Sequence, residues 1–332
     1  MNTHPAARPA VLVCRAVYPA ALERLAEHFD VTANQDDVLW SQEELIARLQ
    51  GKQGAFTTGG DRIDAAVLAR CPDLKICANM AVGYNNFDIP AMTAAGVLAT
   101  NVPEVLTETT ADLGFVLLMA AARRITESEH FLRAGRWDRW SWDMLTGQDI
   151  YGSTLGVVGM GRIGQAIARR GARGFDMPVV YHNRTRLPES TEQALGARYL
   201  GLDELLRTAD HVVLVVPYSK ESHHLIGAGQ LALMKPTATL VNIGRGGVVD
   251  DAALARALRE GRLAAAGLDV FEGEPKVHPD LLACNNVVLT PHIGSASVPT
   301  RKAMIDLACD NLIGWLTEGK ARTPINPEVA HR

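Results

Sequence analysis

The sequence predicts an α/β fold built on parallel sheets, and three observations lead there. Short apolar runs alternate with helical patterns in two successive series. Only 5% of the 332 residues are aromatic, while alanine, glycine and the aliphatics are abundant, a mixture that lets helices pack closely on parallel strands. A glycine motif stands between the first strand and the first helix of the second series. At about 150 residues per domain the length suggests two domains. The balance of 47% hydrophobic and 21% charged residues, with 29 Gly and 16 Pro, is that of a globular protein and excludes the disordered, collagen-like and fibrous classes. Lys and Arg number 33 against 37 Asp and Glu, a net charge of -4. No general attraction toward nucleic acid or an anionic membrane follows, so an anionic ligand must be met by a local site.

In order along the chain, Val11–Cys14 reads as a strand, Pro19–His28 as a helix, Gly54–Thr58 as a strand, Ala65–Ala69 as a helix and Leu74–Ala78 as a strand. Asp88–Ala94 and Val97–Thr100 repeat the unit. A long helix, Glu108–Ile125, follows Pro103, with a threonine cluster at its start and Arg123 and Arg124 at its end, where basic charge suits the helix dipole. The loop 135–142 then holds three of the five tryptophans, which suggests an interface, the alternative being tryptophans packed within their own chain. A second strand series comprises Leu155–Val158, Val179–His182, Val212–Val215, Thr239–Asn242, Ala264–Gly267 and Val287–Leu289. A last helix begins near Pro299.

The N-terminus, Met1–Ala10, lacks the basic and apolar regions of a secretion signal. The longest apolar run, Leu113–Ala122, is half the roughly 20 residues that a membrane-spanning helix requires. The five cysteines, at 14, 71, 77, 284 and 309, are scattered and form no CxxC pair. That argues against disulfides and structural zinc and for a reducing, cytoplasmic location.

The glycine motif is Gly159-Met160-Gly161-Arg162-Ile163-Gly164, between the strand Leu155–Val158 and a helix Arg162–Gly174. That context points to a dinucleotide. Gly159 permits the turn, Gly161 lets the backbone approach a pyrophosphate, and Gly164 lets helix and strand pack closely. The alternative is a glycine-rich turn without a ligand. The next strand ends in Asn183-Arg184-Thr185-Arg186, with neither Asp176 nor Glu189 placed to bind the ribose hydroxyls. With no carboxylate to repel a 2'-phosphate and two guanidiniums to receive one, the sequence favours NADP, with NAD as the second cofactor, unless both arginines are solvated surface charges.

Arg245, Glu274 and His292 each follow a predicted strand, and in an open α/β sheet ligands sit at the carboxyl edge. A cation, a carboxylate and an imidazole can reduce a carbonyl. Arg245 would hold the substrate carboxylate and polarise the carbonyl, His292 would supply the proton, and Glu274 would hold the imidazolium. Each alone is more often a surface or structural residue, and only the joint placement points to catalysis.

With these motifs in this order the sequence resembles the D-isomer-specific 2-hydroxyacid dehydrogenase family over nearly its whole length. The blocks Val82–Asp88, Gly156–Gly164, Asn242–Gly247, Leu268–Pro275 and Pro291–Ser295 carry the likeness. Within the family it most resembles the glyoxylate/hydroxypyruvate reductases, including those that reduce 2-ketogluconate. The resemblance implies a Rossmann-type cofactor domain, residues 102–291, inserted into a smaller flavodoxin-like substrate domain, residues 1–101 and 292–332. It implies that the Val82 and Gly83 amides bind the substrate carboxylate, that Asp269 and the backbone near Ile243 bind the nicotinamide carboxamide, and that Thr110, Arg162 and Ile163 approach the cofactor. It also implies a homodimer through the tryptophan loop. Where many members carry an acidic residue, this chain has Asn183, which supports NADP.

The expected activity is reduction of a small 2-keto acid, glyoxylate, hydroxypyruvate or 2-ketogluconate, to the D-2-hydroxy acid. Alternatives on the same scaffold are phosphite dehydrogenase and 3-phosphoglycerate dehydrogenase. The chain ends soon after its last helix, without the regulatory domain of many phosphoglycerate enzymes, and Thr57–Arg62 offers only Arg62 as an extra cation. A dinucleotide-sensing interaction protein like the C-terminal-binding-protein corepressors is the alternative of another class.

Overall fold

The computed structural model describes residues 8–331. The chain divides into two compact units, one taking it up to Leu106 and again from Ser297, the other running Thr107–Ala296.

The first unit contains β1 (Ala10–Val13), α1 (Pro19–Ala26), β2 (Asp30–Ala33), α2 (Gln42–Leu49), β3 (Gly54–Thr57), α3 (Ala65–Arg70), β4 (Ile76–Asn79), α4 (Ile89–Ala94) and β5 (Leu98–Thr100). Its strands form one parallel sheet in the order β2-β1-β3-β4-β5. β3, β4 and β5 are buried at every residue, which is why they read as unbroken apolar runs. The edge strand β2 alternates between exposed and half-buried residues and escapes that test. Its neighbour α2 opens on a capping box, with Ser41 accepting from the Glu44 amide and Glu44 reaching back to Ser41, a signal present in the sequence as Ser-x-x-Glu.

The second unit begins with α5 (Thr107–Ala122) and α6 (Ile125–Arg133). The helix expected over 108–125 ends at Ala122, and a further helix, α6, starts after Arg124, which adopts a left-handed backbone (φ 52°) and whose guanidinium grips Glu127 at 2.8 and 2.9 Å. Then come β6 (Leu155–Val158), α7 (Arg162–Gly174), β7 (Val179–His182), α8 (Glu189–Leu195), β8 (Ala197–Tyr199), α9 (Leu202–Thr208), β9 (His211–Leu214) and α10 (Ala228–Leu231). The series closes with β10 (Thr239–Asn242), α11 (Asp251–Arg259), β11 (Ala265–Leu268), α12 (Pro279–Leu282) and β12 (Val287–Leu289). All seven strands are parallel, in the order β12-β11-β10-β9-β6-β7-β8. This is the doubly wound dinucleotide-binding arrangement with one further strand, and its order reverses between β6 and β9. One face carries Leu205, Leu206, Leu254 and Leu258, the other Leu117, Leu118 and Ile167, so both are dry.

The final helix, α13 (Val298–Glu318), returns to the first unit and packs on β3, β4 and α1. Both crossings fall five residues beyond the expected 101/102 and 291/292. Val102 stays with the first unit because its amide donates to Ala81 O at 3.2 Å. Ile293 and Gly294 stay with the second because their amides donate to Asp269 at 2.7 and 2.8 Å.

Candidate active site

The turn from β6 into α7 shows why each glycine is there. Gly159 has φ +100°, and a Cβ on it would lie 2.8 Å from the Val215 carbonyl carbon. A Cβ on Gly164 would lie 2.2 Å from Gly159 O, so no larger residue fits. Around Gly161 a Cβ would meet nothing within 4 Å, and this residue caps α7 with no side chain of its own. An open backbone at a helix N-terminus suits a pyrophosphate. Asn183, at the end of β7, accepts from the Met160 amide at 2.7 Å and so ties the glycine turn to the neighbouring strand end. Arg162 is exposed and Ile163 half-buried at the start of α7. Thr110, on α5, has a buried hydroxyl without a hydrogen-bond partner among the described residues, and it lies beside Gly294. Thr100 is the other described residue with such a hydroxyl, but only Thr110 stands beside the loop after β12, where its hydroxyl is available to a polar ligand atom. The residues present fit a dinucleotide.

The turn after β7 separates the two arginines. Arg186 is held by Glu192 in a two-pronged pair, Nε to Oε1 at 2.8 Å and Nη2 to Oε2 at 2.7 Å. Tyr181 also donates to Glu192, at 2.6 Å, and accepts from the Leu187 amide at 2.8 Å. The Arg186 and Tyr181 hydrogen bonds hold the Glu192 carboxyl down at about 2. Arg186, expected to share in receiving a 2'-phosphate, is therefore committed to Glu192. Arg184 and Thr185 are exposed, and Arg184 has no hydrogen-bonded carboxylate among the described residues; the Glu221 carboxyl is lowered chiefly by its Ser219 hydrogen bond, with the Arg184 charge a smaller contribution.

Arg245, Glu274 and His292 follow β10, β11 and β12, three adjacent parallel strands, and so share one carboxyl edge. Asn242 shapes the first loop, accepting from the Gly244 amide at 3.0 Å and donating to Arg245 O at 3.1 Å. A Cβ on Gly246 would lie 1.7 Å from Phe271 O, so that loop is pressed against the next one. Arg245 donates to Gly244 O at 2.8 Å, and among the described residues no carboxylate is hydrogen-bonded to it. Burial lowers its guanidinium pKa, against the opposing pull of Glu274. Arg245 is half-buried, and a partly desolvated cation lacking a bonded anion is suited to receive one. Ile243 has its amide taken by Leu214 O at 3.2 Å, leaving its carbonyl as the polar group it can offer.

Glu274 faces two donors. Oε1 accepts from the Phe271 amide at 2.9 Å and Oε2 from His292 Nδ1 at 2.8 Å. Burial alone would raise this carboxyl, but the His292 hydrogen bond, the Phe271 amide and the charges of His292 and Arg245 carry it below the ordinary glutamate range. Glu274 is thus ionised, His292 Nδ1 carries the proton, and Nε2 is left for a substrate. His292 has φ +54°, a left-handed backbone that costs a non-glycine residue about 1–3 kcal/mol. Asp269, buried at the end of β11, holds the loop there. It accepts from Thr290 Oγ1 and the Ile293 amide, both at 2.7 Å, and from the Gly294 amide at 2.8 Å. Hydrogen bonds to a charged group contribute about 1.5–3 kcal/mol each, so three outweigh the strain. This role of Asp269 is legible only once the loop is folded back on it.

Val82 and Gly83 lie in the first unit, in the loop after β4. His223, His224 and Glu272 bring one ligand atom each within 4.8 Å, but the two imidazoles are stacked at 3.9 Å and 23°, so their in-plane lone pairs do not converge on one ion without turning.

Fold and strand-end residues together define an oxidoreductase that binds a nicotinamide dinucleotide. Residues 115–294 match the D-isomer specific 2-hydroxyacid dehydrogenase, NAD binding domain. The chain is 49% identical to a glyoxylate reductase of Thermococcus onnurineus over 326 residues, 97% of either protein. Its identity to the glyoxylate reductase of Thermococcus gammatolerans is 45%, again over 97% of each. Among solved structures it resembles the NADPH-dependent glyoxylate/hydroxypyruvate reductase of Sinorhizobium meliloti in complex with NADP and malonate, with a TM-score of 0.86, 38% identity and coverage of 96% and 97%. The chain belongs to the D-isomer-specific 2-hydroxyacid dehydrogenase family, as its sequence motifs indicate, and acts on a CH–OH group or the corresponding carbonyl.

The depressed Glu192 carboxyl has a measurable consequence. A group whose folded pKa lies below its unfolded value stabilises above the unfolded value and loses that contribution as pH falls through the folded one. Glu192→Gln is therefore expected to flatten the loss of stability between about pH 4.5 and about pH 2, read as urea midpoints across that range. An acid-side slope equal to that of the unaltered protein would assign the effect to other carboxylates.

Proposed function

We propose that the protein reduces a small 2-keto acid, glyoxylate, hydroxypyruvate or 2-ketogluconate, to the D-2-hydroxy acid, with NADPH preferred over NADH. The observation that carries this reading is the 2.8 Å pair between His292 Nδ1 and Glu274, which fixes an imidazole with one nitrogen free to serve as a proton donor. The bound dinucleotide supplies the hydride to the carbonyl carbon. His292 Nε2 gives the proton to the carbonyl oxygen, and the Glu274 carboxylate stabilises the imidazolium beforehand and keeps the ring in place. Arg245 holds the substrate carboxylate and draws electron density toward the carbonyl oxygen. In the first unit the Val82 and Gly83 amides are the proposed carboxylate donors. Asp269 and the Ile243 carbonyl receive the nicotinamide carboxamide, and Thr110, Gly159 to Gly164 and Asn183 to Thr185 line the rest of the cofactor. Fixing both reactants replaces a bimolecular encounter with a positioned one.

The cofactor preference rests on Arg184 and on Asn183 in place of a carboxylate. The proposed assembly is a homodimer through the loop 135–142. It is supported by Trp137, Trp140 and Trp142, which are 56%, 76% and 80% exposed rather than packed in their own chain, and by α6, which buries none of its residues. A reducing, cytoplasmic location is supported by five free cysteines. Among the described residues no helix is long and apolar enough to cross a membrane.

His292→Ala is expected to bind NADPH normally and to lose turnover at least about 100-fold, measured as NADPH oxidation with glyoxylate, hydroxypyruvate and 2-ketogluconate against controls without keto acid. Undiminished reduction of every keto acid would sink the assignment. Arg184→Ala should raise KM for NADPH about tenfold to a hundredfold with KM for NADH little changed, the worth of one charge-assisted phosphate contact. Equal effects on both cofactors would remove Arg184 from the phosphate site. Light scattering should give the mass of two chains, and of one chain when Trp137, Trp140 and Trp142 are all replaced by serine. A dimer that survives those changes would place the interface elsewhere.

A further inference from the structure

Substrate capture in the proposed reaction uses peptide N–H groups at Val82 and Gly83, and the loop that carries them shows what aims them. A trans peptide is planar, with the carbonyl of one residue and the N–H of the next pointing in opposite directions. A donor that grips a carbonyl from behind therefore also directs the N–H in front. Three consecutive carbonyls are gripped in this way. Ala81 O accepts from the Val102 amide at 3.2 Å, Val82 O from Asn101 Nδ2 at 2.8 Å, and Gly83 O from Asn79 Nδ2 at 3.1 Å. The N–H groups sharing those planes belong to Val82, Gly83 and Tyr84. Among the described residues none of the three has a hydrogen-bond acceptor in the chain.

The gripping residues are themselves fixed. Asn79 is fully buried at the carboxyl end of β4. Asn101 is clamped along its backbone by Thr323, whose hydroxyl donates to Asn101 O at 2.6 Å and whose carbonyl accepts the Asn101 N–H at 3.4 Å. Thr323 is held in turn by Asn311, a buried residue of α13. Asn311 donates to the Thr323 hydroxyl at 2.8 Å and accepts from the Arg322 and Thr323 amides at 2.8 and 3.1 Å. A continuous chain of hydrogen bonds thus runs from α13 to the Val82 carbonyl.

The geometry points to Asn101 and Asn79 as positioning residues that aim the Gly83 and Tyr84 amides and so complete, with the Val82 amide aimed through Val102, a three-donor receptor for the substrate carboxylate. This rests on the proposed 2-keto acid reduction. Successive backbone N–H groups bind anions without a cation of their own. Each hydrogen bond accepted by a carbonyl also polarises its peptide and strengthens the N–H on the far side. Neither asparagine touches the substrate; both act through a peptide plane.

Asn101→Asp keeps the side-chain shape and sets a carboxylate oxygen where a donor faced the Val82 carbonyl. The full-length enzyme carrying it should show KM for glyoxylate and the inhibition constant of malonate both raised about tenfold or more, with kcat within about threefold and NADPH affinity unchanged. A merely structural role would not single out carboxylate ligands in this way. Unchanged KM and malonate inhibition in the folded variant, or a loss shared equally by NADPH binding, overturns the proposal. Should that variant fail to fold, Thr323→Val removes only the hydroxyl behind Asn101. A rise of about threefold in both constants supports the proposal and no rise overturns it. Wild-type protein that reduces no 2-keto acid overturns the proposed reaction instead, and malonate titrated into the NADPH-loaded protein then reads the receptor directly in the same variants.

Discussion

The three hydrogen bonds that converge on the Asp269 carboxylate are what the proposed catalytic edge of the second unit depends on. They bend the chain after β12 so that His292 takes a left-handed backbone conformation and meets Glu274. The carboxylate is buried, and three donors replace the water it gives up. Its own amide is anchored to Asn242 O at 3.0 Å, and Asn242 shapes the loop of Arg245. The cation, the carboxylate and the imidazole are therefore fixed by a common set of contacts at adjacent strand ends.

The parallel sheet makes such an arrangement available. With every strand of the second unit running the same way, every strand-to-helix loop of a β–α unit leaves from one edge. The residues of the proposed site, far apart in sequence from Gly159 to His292, reach that edge without any long connection. The two faces are dry and aliphatic, so the rigid part of the unit is kept apart from the loops that carry polar groups.

The buried strands and the glycine motif were legible because one needs an unbroken apolar run and the other has fixed spacing. The strand bounds Val179–His182, Thr239–Asn242 and Val287–Leu289 agree with the structure to the residue. β2 and β8 were not legible, since each is an edge strand of three or four mixed residues with one open side. The helix α6 was not legible because its nine residues carry only Ile125, Phe131 and Leu132 as apolar side chains and bury none of them. The strand-end positions of Arg245, Glu274 and His292 followed from the pattern, whereas the clamp at Asp269 and the grip on Val82 depend on contacts between segments distant in sequence. Arg186 shows the limit most plainly. Its position near Arg184 suggested a second phosphate ligand, but Glu192, in the helix α8 that follows the turn, takes it.

The acidic net charge of the chain and its proposed anionic ligands are reconciled by how each anion is received. The dinucleotide turn relies on an open glycine backbone at a helix start, and the Val82 loop relies on peptide groups turned outward from three held carbonyls. Dipoles of this kind are fixed by the fold and carry no net charge, so they bind anions without creating a basic surface. Cations are kept for the places where a dipole is insufficient. Arg245 is half-buried, where its field is less screened than at the surface, and Arg184 stands at a strand end with its neighbour Arg186 neutralised by Glu192. Recognition concentrated in so few charges leaves the rest of the surface free to be acidic.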